Sequence, residues 1–120
     1  MARILIVDDS ATMRQMVNFT LSAAEHEVDE AANTDEALAC VETRHFDAVI
    51  ADLNMPGRNG IELIRSLRAL PRFRTTPILM LTTESRAEVK QAGKAAGATG
   101  WIVKPFGPDA LLGALQQLLR

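Results

Sequence analysis

A single cysteine, Cys40, stands in 120 residues, so no disulfide can close within the chain and its stability does not depend on an oxidising compartment. Cys40 reads instead as a small buried hydrophobe. Positive charge is not in surplus either. Thirteen Lys and Arg face fifteen Asp and Glu, a net charge of -2, whereas gripping a phosphate backbone needs an excess of cations. A nucleic-acid partner is therefore excluded. No apolar run approaches the roughly 20 residues that cross a bilayer, and acids follow the first apolar run too soon for a signal peptide. Repeats, linkers and low-complexity segments are missing too. What remains is one domain over residues 1–120, expected to be cytoplasmic and monomeric, with no membrane or nucleic acid among its partners. Its 48% hydrophobic and 23% charged residues suit an ordinary globular core.

What is present is an alternation of short apolar runs with helical patterns. Arg3 to Asp8 reads as the first strand, and Met13, Val17 and Leu21 form the i, i+4 stripe of a first helix. Glu27 to Ala31 is a more polar strand, which places it at a sheet edge. Thr34 can cap a second helix, with Asp35 and Glu36 in the first turn where the helix dipole favours acids. Asp47 to Ala51 is a third strand ending at Asp52, and Pro56-Gly57 and Asn59-Gly60 are turn signals. Ile61, Ile64 and Leu67 mark a third helix, and Ile78 to Thr82 a fourth strand. Ser85 and Glu88 have the spacing of a capping box for a fourth helix. Gly100 to Val103 is a fifth strand, and Pro108 opens a last helix with the stripe Leu111, Leu115 and Leu118. Five such units imply a doubly wound α/β domain, a five-stranded parallel sheet with five helices covering both faces. Ligands of such sheets sit beyond the carboxyl ends of the strands.

Those ends carry Asp8 and Asp9, Asp52, Thr82 and Lys104, each set after a different strand except the first pair. Three carboxylates converging on one rim raise one another's pKa unless positive charge compensates them. The Lys104 ammonium and a divalent cation would do so, and an all-oxygen ligand set suits Mg²⁺. Asp52 can then act as nucleophile toward a phosphoryl group, with Lys104 and the Thr82 hydroxyl stabilising the transferring oxygens. Each residue alone would read as a cap or a surface charge. Their joint placement is what points to chemistry.

The motifs ILIVDDS, DAVIADLNMPGRNG, PILMLTTES and GWIVKPF resemble those of the receiver domains of two-component response regulators, over essentially the whole chain. The resemblance implies a flavodoxin-like sheet of order 2-1-3-4-5. It also implies phosphoryl transfer from a histidine kinase to Asp52, with Mg²⁺ held by Asp9, Asp52 and the backbone carbonyl of Asn54, and by Asp8 through water. Thr82 matches the family's switch hydroxyl and Lys104 its phosphate-binding lysine, and the Lys104-Pro105 peptide is expected to be cis. The protein would be a signalling phosphoacceptor that catalyses only its own phosphorylation and dephosphorylation, not an enzyme acting on other substrates. DDSATMRQMV, Asn54 and Glu84 are similar to the chemotaxis regulators, where the last two tune loss of the phosphoryl group. Fairly rapid self-dephosphorylation is expected.

Filling the chain, such a receiver would be stand-alone, its output being binding to the flagellar motor switch or another motility protein. Trp101 replaces the Tyr usual at the aromatic switch position, and the last helix has no Lys and only Arg120 as a base, so chemotaxis is favoured over the motor itself. An intermediate shuttle in a phosphorelay is an alternative, as is a protein-interaction receiver without phosphorylation. A Mg²⁺-dependent phosphohydrolase is disfavoured, because Leu53-Asn54 supplies no acid two residues after Asp52. Arg86, Lys90 and Lys94 recur at helical spacing and, with Trp101, form the expected partner surface. Val89 and Gly93 mark the fourth helix as lightly anchored and able to shift. Arg14 and part of Met13, Met16 and Val17 are candidates for kinase docking, while His26 and His45 read as surface residues.

Overall fold

The structure is a computed structural model that describes residues 1–54, 59–83 and 86–119. Strands β1 (Arg3–Val7), β2 (Glu27–Ala31), β3 (Ala48–Asp52), β4 (Ile78–Thr82) and β5 (Gly100–Val103) alternate with helices α1 (Ala11–Ala23), α2 (Thr34–Thr43), α3 (Gly60–Arg68), α4 (Ala87–Ala96) and α5 (Pro108–Leu118). A short 3₁₀ turn, Pro71–Phe73, follows α3. All pairings are parallel, in the order β2-β1-β3-β4-β5.

Burial explains why the strands read as they do. The side chains of β3 and β4 are buried throughout and those of β1 nearly so, because helices lie on both faces and side chains alternate between them. Leu5, Val7, Val49, Ala51, Ile78 and Met80 point into one core with residues of α2, α3 and α4. Ile4, Ile6, Ile50, Leu79 and Leu81 point into the other, against Val17 and Leu21 of α1 and Leu111 and Leu115 of α5. Each fully buried Leu or Ile contributes about 1.5–3 kcal/mol. Polar β2 is indeed an edge, and β5 is the other.

Several local readings need correction. Asn33, not Thr34, caps α2. The Asn33 carboxamide oxygen accepts from the Glu36 N–H at 2.8 Å, while Thr34 is buried as the first helical residue. Either residue type caps well, so the choice fell to burial. Helix α4 begins at Ala87 with Arg86 at the cap position, and the Ser85 cap lies outside the described residues. His26 is half-buried, its Nδ1 accepting from the Ala2 N–H at 3.1 Å. His45 is exposed, as expected. Cys40 is half-buried, and burial raises its thiol pKa. A methyl group at Gly93 would come within 2.4 Å of Met80 Sδ, so this glycine lets α4 lie close on β4 rather than loosening the helix.

Arg68 gathers the far end of the α3–α4 side. Its guanidinium donates to the carbonyls of Phe73 at 2.5 Å, Thr76 at 2.7 Å and Gly97 at 2.8 and 3.0 Å. Gly97 ends α4 at φ 119, a left-handed conformation that suits glycine.

Candidate functional site

The parallel register brings the carboxyl ends of β1, β3, β4 and β5 to one rim. Val7 pairs with Ala51, Asp52 with Leu81 and Thr82 with Val103, so Asp8, Asp52, Thr82 and Lys104 follow as neighbours. Asp8 and Thr82 are 0% exposed and Asp52 2%. Asp9 is exposed. One carboxylate oxygen from each of Asp8, Asp9 and Asp52 lies within 4.8 Å of the others. The Lys104 Nζ stands 3.3 Å from Asp8 Oδ2 and 3.2 Å from Asp52 Oδ1, bridging the two buried acids.

Backbone groups fix these carboxylates. Asp8 Oδ1 accepts from the Ser10 N–H at 2.9 Å, and Ser10 in turn caps α1, its Oγ accepting from the Met13 N–H at 3.2 Å. Asp52 Oδ1 accepts from the Asn54 N–H at 3.1 Å, and Asn54 Oδ1 accepts from the Thr83 N–H at 3.2 Å. These bonds tie the ends of β3 and β4 together. Burial, above all, raises the Asp8 carboxyl above its ordinary pKa, and the Asp52 charge adds to this. The Ser10 N–H and Lys104 oppose it. Lys104 precedes Pro105 through a cis peptide, as expected.

The site as read from the sequence is thus assembled in space from Asp8, Asp9, Asp52, Thr82 and Lys104. Asn54 stands beside it, while Glu84 lies outside the described residues. Two contributors were not legible. Gly60 opens α3 against the end of β3, where an added Cβ would fall 2.5 Å from the Asp52 carbonyl oxygen and 2.8 Å from Leu53 Cα. The signal for its neighbour was present, because Asn59, three residues before Glu62, caps α3 by accepting from the Glu62 N–H at 3.1 Å. Arg14, read as a docking residue, is turned inward with 19% side-chain exposure. Its guanidinium donates to the Asp8 carbonyl at 2.7 Å.

The donor set tests the implied cation directly. Three clustered carboxylates, with no nitrogen or sulfur ligand among the described residues of the group, are what a hard divalent ion such as Mg²⁺ takes. With one ammonium among three acids, the described residues leave negative charge for such an ion to neutralise. The residues fit.

On the outer face, Trp101 of β5 is 41% exposed and the Lys90 Nζ lies 5.2 Å from its ring centroid, in cation–π range. Ala87, Lys90, Gln91, Lys94 and Trp101 line a shallow groove of about 300 Å³. Arg86 is 3.9 Å from Glu88. No helix among the described residues is long and apolar enough to cross a membrane.

Residues 4–116 match the family model described as response regulator receiver domain. The solved chemotaxis protein CheY4 of Vibrio cholerae is similar with a TM-score of 0.97 and 52% identity over 99% of each chain. Chemotaxis protein CheY1 of Helicobacter pylori (strain J99 / ATCC 700824) is 43% identical over 120 residues, 98% of this chain and 96% of that protein. The receiver domain of sensor histidine kinase PA1611 from Pseudomonas aeruginosa PAO1, solved with a magnesium ion coordinated in its active site cleft, has a TM-score of 0.90 and 25% identity over 98% of this chain and 97% of that one. The chain spans about half the length of two transcriptional regulatory proteins and a two-component response regulator among its curated relatives.

Proposed function

The chain belongs to the response regulator receiver domain family, and from that premise we propose that it is a switch worked by phosphorylation of Asp52. The observation that carries this reading is Lys104, whose ammonium lies between two buried carboxylates on the acidic rim. One Asp52 oxygen is held there by Lys104 and the Asn54 N–H, which leaves the other to form a bond to phosphorus. As that bond forms, the bond from phosphorus to the donor atom breaks and its electron pair leaves with the donor, a histidine nitrogen of the partner kinase.

Asp8, Asp9 and Asp52, with the Asn54 carbonyl, would hold Mg²⁺, which when bound supplies positive charge against the phosphoryl oxygens. Support comes from the donor set and from the magnesium-bound PA1611 receiver. Lys104 neutralises a phosphoryl oxygen of phospho-Asp52, and the buried Thr82 hydroxyl donates to another. A new bond at Thr82 draws on the loop before α4 and biases the packing of α4 and Trp101, which is a population shift between two arrangements. The responding surface is Trp101 with Lys90 and Lys94, which suits a target offering acidic and apolar groups, with Arg86 at its margin.

The 43% identity to the H. pylori chemotaxis protein supports a cytoplasmic receiver acting in chemotaxis or motility. Its partners are then a histidine kinase and a motility protein. The test is the intact mass after incubation with acetyl phosphate, with and without Mg²⁺. Wild type should gain one phosphoryl group only with Mg²⁺ and Asp52→Asn none. A wild-type protein that gains nothing, from acetyl phosphate or from a phosphorylated histidine kinase, would end the phosphoacceptor reading.

A further inference from the structure

Asp9 is the exposed member of the acid cluster, and its carboxylate makes no hydrogen bond with the described residues. Its direction is therefore set by the peptide that joins it to Asp8. The main chain of Asp8 is held through both its backbone groups, of which the carbonyl belongs to that peptide. The Asp8 N–H donates to the Ala31 carbonyl at 3.1 Å, continuing the β1–β2 pairing by one residue. Beyond it, the Asp8 carbonyl accepts from Arg14 Nη1 at 2.7 Å.

Arg14 is itself braced. Its Nε donates to Glu30 Oε1 at 3.2 Å, and Glu30 Oε2 accepts from Asn18 Nδ2 at 2.7 Å. Glu30 belongs to β2, so a planar, five-donor guanidinium spans from the sheet edge to the loop that carries both acids. An ammonium has a single nitrogen and so cannot present two donor atoms in this fixed planar fork. The arrangement matches the general rule that groups bonded to ligand-bearing segments orient the ligands and set metal affinity.

We infer that Arg14 is a positioning residue of the cation site, fixing the Asp8–Asp9 peptide so that Asp9 faces Asp8 and Asp52. This rests on the acid cluster being a Mg²⁺ site. The inference has a sign that separates it from simple electrostatics. A cation beside three carboxylates repels a divalent ion, so removing its charge alone should tighten Mg²⁺ binding. Removing a brace should weaken it.

The experiment is calorimetric titration of Mg²⁺ into wild type, Arg14→Gln and Glu30→Ala at low and at high ionic strength, with thermal unfolding of each protein alongside. Arg14→Gln should weaken binding by about tenfold, and the deficit should persist at high salt, where long-range charge effects are screened. Glu30→Ala, which keeps the Arg14 charge but removes its brace, should weaken binding less but in the same direction. Its deficit at high salt, where the lost Glu30 charge is screened, also decides the matter should Arg14→Gln not fold. Unchanged or tighter binding in both variants, or a deficit that vanishes at high salt, overturns the inference while leaving the metal site intact. A wild-type protein that binds no Mg²⁺ overturns the site reading and the inference with it.

Discussion

At the carboxyl ends of β1 and β3, Asp8 and Asp52 lie buried around the Lys104 ammonium, with Asp9 beside them. Along the β2 edge, Arg3 pairs with Glu27 at 2.6 Å and Asp29 at 3.3 Å, and Arg44 pairs with Asp29 at 2.8 Å. The second cluster is balanced, two cations to two anions, and these side chains are 20–55% exposed. The first is acidic and mostly dry. Charge that folding alone would tolerate is found in the open and paired, so buried and unbalanced charge marks the place where the protein accepts a loss of stability for chemistry. Arg14 runs from the Asp8 carbonyl to Glu30, a residue of the same β2 strand that lies on the sheet face opposite Glu27 and Asp29.

The largest expected effect breaks the comparison at Asp8. Burial raises this carboxyl, so between the unfolded value near 3.8 and the raised folded value the native state binds more protons than the unfolded chain. Stability contributed by Asp8 is therefore full below that window, falls as pH rises through it, and stays lost above. Asp8→Asn removes the penalty and keeps an oxygen for the Ser10 N–H. Its unfolding midpoint at pH 7 should rise by a few degrees over wild type in the absence of Mg²⁺, with the gain vanishing near pH 3. Added Mg²⁺ should stabilise wild type and leave the variant where it was. Calorimetric scans at the two pH values check both parts. A variant that is less stable at pH 7 would show that the buried acid supports the fold.

A second prediction concerns packing at the rim. The Cβ of Gly60→Ala would meet backbone atoms of Asp52 and Leu53 at 2.5 and 2.8 Å, and backbone does not yield as a side chain does. Overpacking costs about 1–3 kcal/mol, against about 1 kcal/mol gained from alanine's helix preference. Stability in urea should fall modestly. The rate of Mg²⁺-dependent phosphorylation should fall by about tenfold or more, because Asp52 is displaced from its partners. Equal rates in the two proteins would mean that α3 can shift without carrying the reacting carboxylate.

How much of this was legible from sequence follows from what each residue depends on. The central strands announced themselves because burial on both faces leaves no place for polar side chains, and polar β2 declared the edge for the converse reason. Asp8, Asp9, Asp52, Thr82 and Lys104 could be placed together because a parallel sheet gathers all its strand ends on one rim. Gly60, Gly93 and Arg14 could not. Gly60 and Gly93 answer to backbone and side chains that the fold brings against them, Asp52 and Met80 in turn, and Arg14 to the carbonyl of Asp8 and to a carboxylate on another strand. Local pattern carries no trace of such contacts. Asn33 displaced Thr34 as a cap for a related reason, since two adjacent residues can both cap and only packing decides which is drawn inward.

The smallest effect is expected at the β2 edge. Asp29→Asn removes the acid shared by Arg3 and Arg44, yet Arg3 keeps Glu27 and the replacement amide still offers an oxygen to either guanidinium. Exposed ion pairs are screened and lose side-chain entropy, so little net stability is at stake. The unfolding midpoint should stay within about 2 °C of wild type, at low and at high salt, and Mg²⁺ affinity should not change. A loss as large as that of Gly60→Ala would mean that the edge pairs act as one cooperative network, linked to the site through the β2 strand, whose Glu30 braces Arg14. In that case the two clusters would differ in exposure but not in what they hold, and the β2 edge would belong to the machinery that orders the acids.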